Sequence, residues 1–307
     1  MLLVTGGGGF IGSHLVARLV ERGDSVRVLD NFSTGKTRNL AAVASQIDVI
    51  AGDIRDEVVV RRAVDGARII FHLAAQASVP RSVTDPQETF DINLSGTLNL
   101  LQAARAAGCE RIVFASTSAI YGDDPHERKS ETLAPCPLSP YAISKLAAEQ
   151  CCAVFTRLHQ VETVSLRYFN VFGPGQDPTS AYAAAIPRFL AALRNDEAPV
   201  IYGDGEQTRD FVYIDDVVEA NLLAASVPGI AGRAFNVAGG HAVSLNEILS
   251  MLTQLTGIDR PARREGERVG DIRHSLADLT AARAALGFAP RVSIAEGLRR
   301  LVAAAPE

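Results

Sequence analysis

The sequence predicts an α/β fold, in which a doubly wound parallel sheet is followed by a smaller C-terminal α/β lobe. Three observations support this prediction. Up to about residue 169, short apolar and β-branched runs alternate with longer amphipathic segments, which is the pattern of βαβ units. A glycine-rich turn joins the first apolar run to the first amphipathic segment. Glycine, proline and aspartate become frequent over residues 172–180, where the regular alternation ends.

Six apolar runs have the length and composition of buried parallel strands. They occupy residues 2–5, 25–30, 48–52, 68–74, 111–116 and 162–169. The segments between them repeat their apolar residues at the spacing of one helix face. The helices predicted from this spacing occupy residues 11–22, 56–64, 86–107 and 141–159. Each predicted helix connects two predicted strands, as parallel pairing requires.

The chain after residue 170 predicts a second, discontinuous lobe. Its elements are shorter and irregularly spaced, but residues 212–226 predict another helix and residues 234–237 another strand. We expect these two elements to return to the first sheet. The predicted first domain therefore comprises residues 1–169 plus about 212–237, and the second lobe comprises residues 170–211 plus about 238–307.

Composition excludes several classes of protein. The chain of 307 residues and 32.6 kDa is 47% hydrophobic and 21% charged, as in an ordinary globular protein. Its net charge of −5 argues against nucleic acid as a partner. The apolar runs are shorter than the roughly 18 residues of a membrane span, so no membrane association is expected. The four cysteines lack metal-ligand spacing, and we expect reduced thiols, no metal and a cytoplasmic location.

The first predicted strand is followed by the glycine-rich sequence TGGGGFIG at residues 5–12, which opens a helix. Glycines let the backbone turn sharply and approach a pyrophosphate, whose charge the N–H groups of a helix start favour. The second strand ends at Asp30, where a carboxylate would accept hydrogen bonds from an adenosine ribose and repel a 2′-phosphate. The pattern predicts NAD rather than NADP. Because the glycines are contiguous, the fingerprint can begin at Gly6 or at Gly7.

Hydroxyl side chains follow the fifth strand, and a tyrosine–lysine pair begins a later helix. Residues 116–118 are Ser-Thr-Ser, at the sheet edge where doubly wound proteins bind ligands. Tyr141 and Lys145 are one helical turn apart and share a helix face. An ammonium near a phenol stabilises the phenolate, so Tyr141 is a candidate base near neutrality although a free phenol has a pKa of about 10.

These motifs resemble the extended short-chain dehydrogenase/reductases and, within them, the NAD-dependent nucleotide-sugar epimerases and dehydratases. The resemblance spans nearly the whole chain. It is carried by Asn93 and by residues 5–12, 30–31, 52–53, 72–75, 116–122, 141–145, 167–174, 203–213 and 268–271. It implies a Rossmann domain for NAD and a second lobe for the nucleotide sugar. It also implies Tyr141 as the base, Lys145 as its partner and Thr117 as the catalytic hydroxyl, with Ser116 as the alternative.

The resemblance also implies the residues that contact NAD. Its glycine frame is Gly6, Gly9 and Gly12. Asp53, which follows the third strand, is a candidate acceptor for the adenine amine. The remaining residues implied in cofactor binding are Phe10, Ile11, Asp30, Asn31, Ser33, Thr34, Gly35, Ile54, Leu73, Ala74, Ala75, Gln76, Asn93, Ser116, Tyr141, Lys145 and Tyr168.

A UDP-sugar is the substrate that the resemblance implies. The residues implied in its binding are Ser78, Thr117, Asn170, Ala185, Tyr202, Arg209, Arg268, Asp271 and Ser275. The two arginines suit a diphosphate because guanidinium forks match phosphate oxygens. Ser275 occupies the position where a bulky aromatic side chain in family members excludes an N-acetyl group. Its small side chain implies that UDP-N-acetylhexoses are accepted as well as UDP-hexoses.

The reaction type is inferred from the absence of a carboxylate side chain directly after the catalytic hydroxyl. Dehydratases and decarboxylases of the family carry a carboxylate there, whereas this chain has Ser118 and Ala119. Without that group elimination has no acid or base, which leaves epimerisation through a transient 4-keto sugar. The implied function is a UDP-hexose 4-epimerase. The alternatives are a UDP-glucuronic acid 4-epimerase, another nucleotide-sugar epimerase or dehydratase and, against the presence of Tyr141 and Lys145, a non-enzymatic NAD-binding protein.

The assembly is expected to be a homodimer. The predicted helices 86–107 and 141–159 are apolar on more than one face, which fits packing on the sheet and on a second subunit. The resemblance implies a homodimer built from such a helix pair.

Overall fold

A computed structural model describes residues 1–178, 185–266 and 272–304 of the chain. The strands of this part are β1 (Leu2–Thr5), β2 (Val26–Asp30), β3 (Ile47–Ala51), β4 (Ile69–His72), β5 (Arg111–Thr117), β6 (Glu162–Tyr168), β7 (Asn170–Phe172), β8 (Val200–Tyr202), β9 (Thr208–Tyr213), β10 (Ala234–Val237), β11 (Ala242–Ser244) and β12 (Arg263–Glu265). The helices are α1 (Phe10–Glu21), α2 (Glu57–Val64), α3 (Val79–Thr84), α4 (Pro86–Phe90), α5 (Gly96–Ala107), α6 (Pro140–His159), α7 (Ala185–Arg194), α8 (Ile214–Ser226), α9 (Leu245–Thr256) and α10 (Ile294–Ala303).

Seven strands form the main sheet in the order β10–β6–β5–β4–β1–β2–β3, and every pair in it is parallel. The predicted α/β fold with a doubly wound sheet is therefore confirmed. The strand order reverses beside β1, and ligands of such sheets bind at the carboxyl ends of the strands near this point.

The sheet separates two hydrophobic cores because neighbouring residues of a strand face opposite sides. Val4 packs with Leu15 of α1 and Val217 of α8 on one side. Leu3 packs with Val60 of α2 on the other side, in the core that also contains residues of α5 and α6. Both faces of the sheet are therefore covered, as in other parallel sheets.

Two predicted elements differ in detail from the observed ones. Residues 86–107 form α4 and α5 joined by a π-helical turn (Asp91–Ser95), rather than one uniform helix. The turn contains Asn93, whose buried side chain bonds two neighbouring segments. The helix predicted to begin at residue 212 begins at Ile214, because Val212 and Tyr213 complete β9. Asn170 and Val171 pair with the same end of β9.

The second lobe contains a three-stranded sheet, β11–β9–β7, and a two-stranded sheet, β12–β8. In the sequence, α8 and β10 lie between segments of this lobe. In the structure, α8 packs on the main sheet and β10 pairs with β6 at its edge. The discontinuous division into two lobes remains our proposal. Within the described residues, no helix combines the length and the apolar composition that crossing a membrane requires.

Candidate active site

The glycine turn between β1 and α1 is packed too closely for side chains. Gly6 has a φ of +72°, and a Cβ there would lie 2.6 Å from the backbone nitrogen of Ala74. A Cβ on Gly12 would lie 2.1 Å from the Gly6 carbonyl oxygen. Gly7, in contrast, faces the Val28 side chain inside the core. This packing favours the frame of Gly6, Gly9 and Gly12, which spacing alone left open.

A cavity of about 470 Å³ opens beside this turn, at the carboxyl ends of β1 to β4. Most of the predicted NAD residues line it: Gly6, Gly9, Asp30, Asn31, Ser33, Thr34, Gly35, Asp53, Ile54, Leu73, Ala74, Ala75 and Gln76. Phe10, Ile11 and Gly12 form the first turn of α1, whose N-cap is Gly9. The first backbone N–H groups of a helix have no partner within the helix, and they suit a pyrophosphate. The donor set and the cavity size fit a dinucleotide.

Asp30 organises the backbone at the edge of this cavity. Its buried carboxylate accepts hydrogen bonds from the Gly8 backbone N–H at 2.8 Å and from the Phe32 backbone N–H at 2.7 Å. Phe32 has a φ of +53°, so the chain turns sharply just after Asp30. A carboxylate has about four acceptor positions, which leaves Asp30 able to accept ribose hydroxyl groups as well.

Asp53 also lines the cavity, but its carboxylate is already bound. Oδ1 accepts from the Arg55 backbone N–H at 2.8 Å and from its Nε at 2.9 Å, and Oδ2 accepts from Arg55 Nη2 at 2.7 Å and Asn31 Nδ2 at 2.9 Å. The hydrogen bonds from Arg55 lower the pKa of Asp53 to about 2. An adenine amine would have to displace one of these four donors. The sequence analysis missed Arg55, although it directly follows the Gly-Asp-Ile motif.

Three residues after β4 that were predicted to contact a ligand form hydrogen bonds with other groups of the protein. Gln76 lines the cavity, but its amide nitrogen donates to the Ser78 carbonyl oxygen and the Thr89 hydroxyl. Ser78, predicted near the sugar, caps α3 by accepting from the Arg81 backbone N–H. Asn93 lies behind the cavity, where it bonds both backbone groups of Gln76 and the Ser144 hydroxyl. The Asn93 side chain therefore holds the loop that carries Gln76, and its contact with NAD stays a prediction.

The hydroxyl groups at the end of β5 point to different partners. Ser116 is buried, and its Oγ donates to Glu149 Oε2 at 2.5 Å. Thr117 accepts from the Ala119 backbone N–H, and it lies close enough to Tyr141 to lower the pKa of that phenol. Ser118 and Ala119 begin a 3₁₀ turn (Ser118–Tyr121). Thr117, and not Ser116, is therefore placed to act with the tyrosine.

Tyr141 and Lys145 lie in the first turns of α6. This helix begins sharply because Ser139 accepts from the Ala142 backbone N–H and Pro140 occupies the first helical position. Burial raises the pKa of Tyr141, and Thr117 acts in the opposite direction.

Lys145 lies deeper than Tyr141 and has a separate environment. Burial lowers its pKa to about 8, although Cys152 and Glu149 raise it. The ammonium lies 4.2 Å from the centre of the Phe114 ring, a cation–π contact. Lys145 was predicted to stabilise the Tyr141 phenolate. Within the described residues, the pKa of that phenol is set by burial and by Thr117.

A buried polar network supports the end of β5. Arg167 Nη2 lies 2.6 Å from Glu149 Oε1, and Arg167 Nη1 donates to the Tyr121 hydroxyl at 2.8 Å. That hydroxyl donates to Asn236 on β10 at 2.7 Å. The sequence analysis missed Glu149, although it lies one helical turn beyond Lys145 on the face that Tyr141 begins.

The side chain of Tyr168 lies away from the cavity, and its contact with NAD stays a prediction. Its ring is buried in the core that α8 covers, and its hydroxyl donates to Asn221 Oδ1 at 3.0 Å. Burial raises the pKa of this hydroxyl. A side chain at the end of a parallel strand points alternately to one sheet face or the other, and sequence alone does not show that Tyr168 faces the α8 side.

The substrate residues of the second lobe are distributed over several elements. Asn170 lies on β7 opposite Phe211 on β9, and Arg209 lies on the same strand β9. Ser275 is buried, and its backbone N–H donates to the Thr208 carbonyl oxygen at 3.2 Å. The other predicted substrate residues of this lobe are Tyr202 at the end of β8 and Ala185 at the start of α7. Arg268 and Asp271 lie outside the described residues.

Comparison with known proteins gives the family. The model of the NAD dependent epimerase/dehydratase family matches residues 2–238. The chain is 38% identical to a UDP-glucose 4-epimerase of Mycolicibacterium smegmatis over 304 residues, which is 98% of this chain and 96% of that protein.

Two solved structures match over nearly their full length. UDP-glucose 4-epimerase of Thermotoga maritima, solved with UDP-glucose, is 40% identical with a TM-score of 0.94, over 98% of this chain and 97% of that one. UDP-N-acetylglucosamine 4-epimerase of Methanobrevibacter ruminantium, solved with UDP-N-acetylmuramic acid, is 38% identical with a TM-score of 0.94, over 98% and 96% of the two chains. The chain therefore belongs to the NAD-dependent epimerase/dehydratase family.

Proposed function

We propose that this protein is a UDP-hexose 4-epimerase with tightly bound NAD. It interconverts UDP-glucose with UDP-galactose and UDP-N-acetylglucosamine with UDP-N-acetylgalactosamine. The observation that carries the proposal is the placement of Thr117 close to Tyr141, at the carboxyl edge of the sheet that also borders the dinucleotide cavity.

Tyr141 and Thr117 together transfer the proton of the sugar 4-hydroxyl. Tyr141 takes the proton from the sugar 4-hydroxyl and returns it after the 4-keto sugar has turned over. Thr117 shares this proton, because its hydroxyl lies beside the Tyr141 phenol and lowers the pKa of that phenol. When bound, NAD supplies reversible uptake of the hydrogen at C4, which no side chain here can provide. Lys145, one helical turn beyond Tyr141 on α6, is the proposed partner of this base.

Epimerisation is preferred to dehydration because of the 3₁₀ turn after Thr117. Ser118 and Ala119 occupy the positions where elimination would require a carboxylate. Glu149, the acid that approaches the site from α6, is held by Arg167 and Ser116 below the sheet edge. Its hydrogen bonds make it a poor proton shuttle for the sugar.

The substrate range follows from Ser275. Its side chain is small and lies at the buried junction with β9. A small side chain at this position supports acceptance of an N-acetyl group, since the resemblance places a bulky aromatic residue here in family members that exclude it. The UDP moiety is assigned to the second lobe, with Asn170, Tyr202 and Arg209.

We also propose a cytoplasmic homodimer. On α6, Ile143, Val154 and Leu158 are exposed, and the last of them is 69% accessible. Val79 and Val83 on the neighbouring α3 are exposed as well. These side chains form an apolar face that a second copy of the chain would cover. The four free cysteines fit a reducing compartment.

The reaction type is tested by converting UDP-glucose in deuterium oxide. A 4-epimerase returns the same hydrogen to C4, so the galacto product carries no deuterium, whereas a dehydratase loses water and incorporates deuterium from the solvent. We expect the Tyr141→Phe variant to retain NAD and to lose about 10²- to 10⁴-fold in kcat. Full activity of that variant would refute the role of Tyr141.

A further inference from the structure

The loop after β2 is fastened to the glycine turn. The Lys36 backbone N–H donates to the Gly8 carbonyl oxygen at 2.9 Å, and Asn39 Nδ2 donates to the same oxygen at 2.8 Å. Residues 33–35, directly before Lys36, line the dinucleotide cavity. The loop therefore forms one wall of the dinucleotide cavity.

The start of the second lobe packs against α1, whose first turn lies beside the cavity. His14 Nε2 is 2.9 Å from the Pro174 carbonyl oxygen, which ties this segment to the first turns of α1. Gly173 approaches Phe10, because a Cβ at that glycine would lie 3.6 Å from the ring. The segment 173–177 thus runs beside the helix start that is expected to hold the pyrophosphate.

An ion pair joins this segment to the loop after β2. Lys36 Nζ lies 2.5 Å from Asp177 Oδ2, and the two side chains are 38% and 35% exposed. The two residues are 141 positions apart in the sequence, one in the dinucleotide domain and the other in the segment that leads into the second lobe. The glycine turn, the loop and the segment 173–177 therefore form a closed ring.

We propose that Lys36 and Asp177 form an ionic latch that retains NAD in the protein during successive reactions. The proposal rests on the proposed function, in which the cofactor is regenerated in each cycle and need not leave. Both are positioning residues, since they act by holding the loop after β2 and the segment 173–177 together. In this proposal the dinucleotide leaves only when the ring opens, and opening breaks the ion pair. A half-exposed pair contributes little to folding, so its effect is expected in the rate of NAD release.

Lys36→Met and Asp177→Asn each remove one partner, and the reversed pair Lys36→Asp/Asp177→Lys restores opposite charges. The purified holoproteins are diluted with an excess of an NAD-consuming enzyme, and the NAD that remains bound is measured over time. We expect release to be on the order of fivefold faster in each single variant and close to the original rate in the reversed pair. Added salt is expected to speed release from the unmodified protein more than from the single variants.

Asp48→Asn is the matched control. It removes the Arg27–Asp48 ion pair of 2.6 Å between β2 and β3, at the end of the sheet away from the cavity. The release rate should not change in this variant.

Two results would overturn the latch. Equal release rates in all variants would show that the ion pair does not control NAD. Faster release in Lys36→Met alone, without recovery in the reversed pair, would show that Lys36 holds a phosphate directly. Neither result affects epimerisation, which is measured separately by conversion of UDP-glucose in the same holoproteins. Failure of that conversion with normal NAD retention would instead refute the proposed function.

Discussion

Glu149 and Arg167 form an ion pair beneath the catalytic end of β5, with side chains that are only 4% and 5% exposed. The carboxylate also accepts from Ser116, and the guanidinium also donates to Tyr121. All of these groups have lost their hydration, so each depends on its partners. The network connects α6, β5, β6 and β10 directly below the residues of the site.

Removing one charge of this network should therefore be costly. We expect Glu149→Gln to lower the free energy of unfolding by about 3–5 kcal/mol, because Arg167 keeps a buried charge without its counter-ion. The double variant Glu149→Gln/Arg167→Met should be more stable than this single variant. Urea unfolding of the three proteins measures both effects.

An exposed ion pair provides the control. Glu110 and Arg68 are 3.0 Å apart, with side chains that are 60% and 56% exposed. Glu110→Gln should change the free energy of unfolding by no more than about 1 kcal/mol. An equal loss in Glu110→Gln and Glu149→Gln would contradict the role assigned to burial.

His72 makes folding sensitive to pH. Burial, reinforced by Lys145, lowers the pKa of His72 to about 3, and its ring bonds Thr5 and Thr97. The unfolded chain, with a histidine pKa of about 6.5, therefore binds a proton that the folded chain excludes. Stability is full above pH 6.5 and is lost as the pH falls toward 3. One such histidine accounts for a loss of about 2 kcal/mol between pH 7 and pH 5.

His72→Gln isolates this effect. Its free energy of unfolding should fall less steeply between pH 7 and pH 5 than that of the unmodified protein. The comparison is needed because burial raises the pKa of Asp210 to about 6, which changes stability in the opposite direction over the same range. Parallel pH profiles for the two proteins would contradict the assignment of a neutral, buried histidine.

Ser275 is expected to set the size of the sugar that is accepted. Ser275→Tyr should lower kcat/KM for UDP-N-acetylgalactosamine at least about tenfold more than for UDP-galactose, a difference of about 1.4 kcal/mol in transition-state binding. Ser275→Ala should preserve the ratio of the two values. Retained turnover of UDP-galactose shows that the tyrosine variant is folded. An unchanged ratio in that variant would refute the assignment.

The exposed apolar face of α6 is expected to be the dimer contact. Leu158→Glu places a charge on this face and should convert the dimer to a monomer in sedimentation velocity. Val58→Glu on α2, where the valine is 67% exposed, is the matched control and should remain dimeric. A monomeric parent protein, or a dimer that survives Leu158→Glu, would reject this interface.

The parts of the structure that depend on local pattern could be predicted from sequence. The strands of the main sheet and the order of turn and helix after β1 follow from periodicity and glycine spacing. The close approach of Gly6 to Ala74, which favours the proposed frame, could not, since Ala74 lies in a distant segment. Likewise, the side chains of Asn93 and Tyr168 turn toward Gln76 and Asn221, and tertiary packing decides such directions.

The most direct test of the central claim is proton NMR of the purified protein with UDP-glucose, without added NAD. The anomeric signal of UDP-galactose should appear and approach a fixed ratio, and the same ratio should be reached from UDP-galactose. Parallel samples of UDP-N-acetylglucosamine and UDP-glucuronic acid give the substrate range, and the first is expected to convert. Unchanged spectra for all three sugars, both before and after NAD is added, would contradict the assignment of 4-epimerase activity.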